Sequence, residues 1–151
     1  MRNITTVFAL MVIVVVAGTT GCVSNEVQGA KITGAIGSSV GYISENQTDI
    51  QRISWTVSIT NTGVKTAENV TAYVILHPEI VSRLNVLENS TVLLGDLKPD
   101  VWKGFKGHAT FNSTGLSKQD IAAWEPLVKI KVTWTEDGKV NEKILPDEVN
   151  K

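Results

Sequence analysis

The sequence predicts an all-β protein: an antiparallel two-sheet sandwich of about seven strands with one short crossover helix, preceded by a signal segment. Three observations predict it. Apolar and hydroxylated residues alternate with a period of two in several stretches, as half-buried strands require. Turn signals such as Asn61-Thr62-Gly63 and Asp137-Gly138 bound those stretches. The first residues have the make-up of an export signal.

Val7–Ala17 is an unbroken apolar run, with Arg2 the only charge before it and no acidic residue until Glu26. A membrane-spanning helix needs about 20 apolar residues, so the run reads as the core of a secretory signal, with an uncleaved anchor as the alternative. Small residues follow from Ala17 to Gly21 and end at Cys22, the sole cysteine. The expected organisation is therefore a signal over 1–21, a short tether over 22–28 and a β-domain over 29–151. Removing the signal takes away Arg2 and leaves a slight acidic excess.

Within the domain, Ile53, Trp55, Val57 and Ile59 alternate with Ser54, Thr56, Ser58 and Thr60. Val70, Ala72, Val74 and Leu76 alternate with Thr71, Tyr73, Ile75 and His77 until Pro78, which cannot donate to a ladder. Val128, Ile130, Val132 and Trp134 form a third inward set. Asp137-Gly138 then turns the chain into Val140–Leu145, since both residues tolerate the positive φ of a tight hairpin. Weaker strands are expected at Val27–Ile36, Thr91–Leu94 and Gly104–Phe111. One helix is expected after Ser117, with Asp120 completing a capping box and Leu116 and Ile121 placed as a hydrophobic staple. Pro126 ends it. Pro78 with Glu79 could open another turn, in which Ile80, Leu84 and Leu87 would share one face.

Composition narrows function more than it identifies it. Lys plus Arg is 14 and Asp plus Glu is 15; nucleic-acid binding needs a basic excess and is not expected. A single cysteine excludes an intramolecular disulfide and a multi-cysteine zinc site. His77 and His108 stand apart from other ligands in sequence. There is no Gly-x-Ser-x-Gly elbow, phosphate loop or dinucleotide fingerprint. No catalytic residue, metal or cofactor is expected. Asp96 and Asp100 flank a turn and suit Asx-type bonding better than calcium. Trp55 and Trp134 fall on inward phases, whereas Trp102 and Trp124 are candidates for an exposed aromatic platform. Asn46, Asn69, Asn89 and Asn112 each begin an Asn-x-Thr sequon, the acceptor pattern of a glycosylated surface domain.

Two resemblances follow from these motifs. Thr19-Thr20-Gly21-Cys22 after an apolar core resembles a lipobox, in the looser form of archaeal lipoproteins. It implies cleavage before Cys22, lipidation of its thiol and a place on the extracytoplasmic face of the cell membrane. Ile32-Thr33-Gly34, Trp55 through Gly63, Ala67-Glu68-Asn69-Val70 and the turn Leu94 through Asp100 are similar to the FxLYD and CARDB-like domains of prokaryotic surface proteins. In that pattern Asp100 stands where Gly is usual, and the Leu-Tyr-Asp is absent. The resemblance implies an Ig-like sandwich. The function expected is non-enzymatic binding or scaffolding, with the membrane held through a lipid and an envelope protein or glycan as partner. A carbohydrate- or solute-binding module using Trp102 and Trp124 is the alternative, and an envelope enzyme ranks last.

Overall fold

The computed structural model describes residues 29–147. The signal, the tether and Cys22 lie outside the described residues. The elements run β1 (Ile32–Ser44), β2 (Gln47–Asn61), β3 (Ala67–Leu76), α1 (Pro78–Val81), β4 (Leu84–Leu87), β5 (Thr91–Leu97), β6 (Trp102–Asn112), α2 (Lys118–Ala122), β7 (Val128–Glu136) and β8 (Lys139–Leu145). Two antiparallel four-stranded sheets result, ordered β1-β2-β6-β4 and β5-β3-β7-β8. The first sheet and β3-β7-β8 follow the strand order of an Ig sandwich, with β5 added beside β3.

The inward sets expected from period two pack into one core: Ile53, Trp55, Val57 and Ile59 from β2, Val70 and Ala72 from β3, and Val128, Ile130, Val132 and Trp134 from β7. Val74 is only half-buried. Ile32, Leu97, Phe111 and Leu145 complete the core from the other strands. Where an Ig domain often carries a disulfide between strands like β2 and β7, this chain carries Trp55 and Trp134.

Three expectations need correction. Eight strands form among the described residues, because Leu84–Leu87 is a strand and not the continuation of a helix. The open edge of β6 supplies ladder bonds there (Asn112 N–H to the Arg83 carbonyl, Glu88 N–H to the His108 carbonyl). A one-turn helix offers few internal bonds in exchange. The turn after Pro78 forms as a second short helix, but α1 stops at Val81, so Leu84 and Leu87 do not share its face; the His77 Nδ1 accepts from the Glu79 N–H and Pro78 sits in the first turn. The first strand runs on through Gly34 and Gly37 to Ser44, because it pairs with β2 along its length and the ladder outweighs glycine's entropic cost.

Helix α2 has the expected cap. The Ser117 hydroxyl accepts from the Asp120 N–H, and the Asp120 carboxylate accepts from the Ser117 N–H at 2.8 Å. Those bonds hold the Asp120 carboxyl below its usual 3.8, the backbone bond being the larger cause. Asp137 and Gly138 turn the β7–β8 hairpin with φ of 50° and 74°.

Candidate functional site

The sandwich has two chemically different ends. The end at which the described chain starts is built around Asn61, the last residue of β2. Its side chain is fully buried. The amide oxygen accepts from Lys31 N–H at 3.1 Å and Gly63 N–H at 3.0 Å. The amide nitrogen donates to the Lys65 carbonyl at 2.6 Å and the Leu97 carbonyl at 2.9 Å. Asn61 thereby ties the start of β1, the β2–β3 loop and the end of β5 together. Gly63 completes the join: a Cβ there would collide with the Gly29 carbonyl oxygen. The Lys98-Pro99-Asp100 turn docks on the same residue, with Asp100 N–H donating to the Asn61 carbonyl. Asp100 has φ of 60°, in the left-handed region that glycine, and less readily Asn or Asp, adopts.

Exposed apolar side chains lie around this end. Val64 in the β2–β3 loop is 64% exposed; Trp102 (66%), with its ring beside Gly104, and Val140 (77%) lie on the outer faces of opposite sheets. Exposed Lys31, Lys65, Lys98 and Lys139 are interspersed with exposed Asp96, Asp100 and Asp137. The Lys65 ammonium bonds the Asp137 carboxylate, which raises its pKa above 10.5.

The opposite end holds the β1–β2 hairpin tip, α1 and α2. Trp124 follows α2 and stacks on His77 with ring centroids 5.7 Å apart and planes within 3°. The pair lines a cleft of about 400 Å³ with Ile75, Pro78, Pro126 and Lys129. A second groove of about 410 Å³ lies between the distal half of β1 (Ser38, Val40, Tyr42) and Ile121, Glu125 and Leu127. Among the described residues β8 ends opposite Ile130 and does not cover the inner face of β1 beyond that point.

The structure does not bring Trp102 and Trp124 together. Trp102 pairs with Thr60 at the Asn61 end, while Trp124 meets His77 just past the far end of β3. At about 3.3 Å per residue, β3 alone separates them by roughly 30 Å. A single platform using both is therefore corrected to two separate aromatic positions. The four sequon asparagines Asn46, Asn69, Asn89 and Asn112 are all exposed. The Asn89 amide nitrogen donates to the Lys106 carbonyl, and the Asn112 side-chain oxygen accepts from the Thr114 N–H. Asn69 faces outward for a reason strand parity alone did not supply. It has φ of 52° and lies in a bulge, so Glu68 and Asn69 are both exposed between buried Ala67 and Val70. Asp96 accepts from the Asn69 N–H at 2.9 Å, a bridge across the bulge and not a turn contact of its own.

The His77–Trp124 stack was missed from sequence because its partners come from distant segments, and only Pro78 and Pro126 marked them as loop neighbours. His108 Nδ1 lies 3.5 Å from the Glu88 carboxylate, across the β4–β6 pairing that the sequence did not show. Among the described residues, no group of three His, Cys, Asp or Glu side chains converges as metal ligands do.

No protein-family model matches the chain, and no curated protein matches it. Among solved structures it is similar to a protein described as ApaA from Bordetella pertussis, at 16% identity over 78% of this chain and 90% of that one, with a TM-score of 0.43. It is also similar to a protein from Archaeoglobus fulgidus (14% identity, 76% and 90% covered, TM-score 0.31). A third is an uncharacterised β-sandwich protein from Clostridium difficile (12% identity, 76% and 85% covered, TM-score 0.29).

Proposed function

We propose that this β-sandwich is a non-enzymatic cell-surface lipoprotein. In this reading an FxLYD/CARDB-like domain is tethered through Cys22 to the outer face of a prokaryotic, archaeal-type membrane, and it binds or scaffolds an envelope protein or glycan. The observation that carries the reading is the chemistry of the Asn61 end. The described chain starts there at Gly29, seven residues after Cys22. Val64 lies at that end, and Trp102 and Val140 flank it on the outer faces of the two sheets, among lysines and carboxylates. Exposed tryptophan and aliphatic side chains beside a lipid tether suit a membrane interface. One lipid chain binds a membrane only marginally, and such side chains would supply the second contact. The His77–Trp124 cleft and the β1–α2 groove then face away from the lipid, where a partner could reach them.

The test uses the full-length chain in membranes. Brominated lipids are expected to quench part of its tryptophan emission, and Trp102→Phe to remove the quenched part. Cys22→Ser is expected to release the chain or block its processing. Emission unaffected by brominated lipid, together with an unmodified Cys22 thiol in the intact mass, refutes the reading.

The half-exposed Trp124 supports a second reading, a sugar- or solute-binding cleft. Titration with oligosaccharides would then show binding that Trp124→Ala abolishes and Trp102→Phe leaves unchanged.

A further inference from the structure

Four strands lie at sheet edges: β1, β4, β5 and β8. An edge exposes unpaired N–H and C=O groups, and proteins blunt it with charge, proline, bulges or shortness. Three of these edges are blunted. β4 has only four residues, β5 pairs irregularly around Gly95, and β8 carries Lys139, Glu142 and Lys143. β1 is not. Its thirteen residues, ITGAIGSSVGYIS, contain no charge and no proline, and its pairing with β2 is regular from Ile32 to Tyr42.

The hydrogen-bond phase shows which groups face outward. The Thr62 N–H donates to the Lys31 carbonyl. Alternate residues of an antiparallel ladder bond the same neighbour, so Thr33, Ala35, Gly37, Ser39 and Gly41 bond β2. Gly34, Ile36, Ser38, Val40 and Tyr42 direct their N–H and C=O groups away from it. Ile32 has the same phase, and its carbonyl accepts from the Lys143 ammonium at 3.0 Å, which closes the edge at its start.

We propose that this edge pairs with the β1 edge of a second copy, antiparallel and centred on Ser38, so that two four-stranded sheets become one. A strand paired with itself in this way is related by a two-fold axis and self-complementary. Ser38 meets Ser38, Ile36 meets Val40 and Gly34 meets Tyr42. These are the residues whose polar groups face outward, so the ladder closes in phase. It holds about ten backbone hydrogen bonds, the number of a typical interface. Ile36 on Val40 is a favourable β-branched pair, and tyrosine over glycine is a known means of covering an edge glycine. Ser38 is exposed in the single chain. Moving the centre by two residues breaks the match of Gly34 with Tyr42. Nothing in the proposal depends on the lipid tether.

Sedimentation of the full-length chain in detergent tests it. A monomer–dimer equilibrium is expected. Ser38→Pro removes a central donor that does not bond β2, so the fold is kept and association falls at least tenfold. Ser38→Lys sets like charges face to face on the two-fold axis and weakens association roughly tenfold. If circular dichroism shows Ser38→Pro unfolded, Ser38→Lys decides alone. A chain that stays monomeric at every concentration overturns the proposal. So does a dimer indifferent to these substitutions, or protection of the 34–42 amides from hydrogen exchange only when another protein is added.

Discussion

Asn61 is fully buried with every position of its amide occupied. From sequence it reads as a turn residue before Gly63, and that is half of its role. The other half, bonds to Lys31 and Leu97, depends on strands that only the folded chain brings near. Asn61→Ala would remove the partners of two backbone donors and two carbonyls, of which Gly63 N–H and the Leu97 carbonyl lie in the interior. At roughly 1–3 kcal/mol for each buried group left unpaired, partly relieved by water, a loss of about 3 kcal/mol or more is expected in urea unfolding. A loss under about 1 kcal/mol, the scale of surface changes, would contradict this role. Asp120 is a smaller case with a definite sign. Its folded pKa is below 3.8, so its contribution is complete above the unfolded value and lost as pH falls through the lower folded value. The melting-temperature difference between the wild-type chain and Asp120→Asn should therefore be constant near neutrality and shrink on acidification below about pH 4. A difference independent of pH would show that the carboxylate is not the capping group.

At the scale of elements, strands with one apolar face were legible because a residue's face follows from its parity, whatever it packs on. Ile130 is the sharpest case. It is fully buried in β7, which pairs with β3 on one side and β8 on the other. Ile130→Ala is expected to cost about 2–5 kcal/mol from transfer and cavity terms, read as a shift of the denaturation midpoint at unchanged slope. A cost near that of a surface change would place Ile130 outside the core. Elements without such a pattern were not legible. β1 carries three glycines and is mostly exposed on both faces from Gly37 onward, so its distal half has no strand period. It is a strand because β2 pairs with it. β4 reads as helix, since Ile80, Leu84 and Leu87 fit that spacing; the open edge of β6 made it a strand, and a bulge between Leu84 and Val86 lets both leucines pack on the core.

Across the whole molecule, a single core cluster joins both sheets. Neither sheet has a separate apolar interior, so neither should unfold alone. Far-UV circular dichroism and the emission of buried Trp55 and Trp134 are expected to report one coincident urea transition. Two separated midpoints would show that the sheets are independent units. The same scale decided the candidate site. Trp102 and Trp124 look alike in the sequence, each beside a turn, yet the fold sends them to opposite ends.

The sequence by itself determined the all-β class, the inward faces of β2, β3 and β7, the capped helix after Ser117 and the Asp137-Gly138 hairpin. All of these rest on interactions spanning a few residues, where spacing and backbone preference suffice. Only the tertiary structure decided the eighth strand, the full length of β1, the buried amide of Asn61, the His77–Trp124 stack and the separation of the two exposed tryptophans. Each depends on segments far apart in the chain meeting across a sheet or at its end, and local spacing carries no information about which segment arrives there.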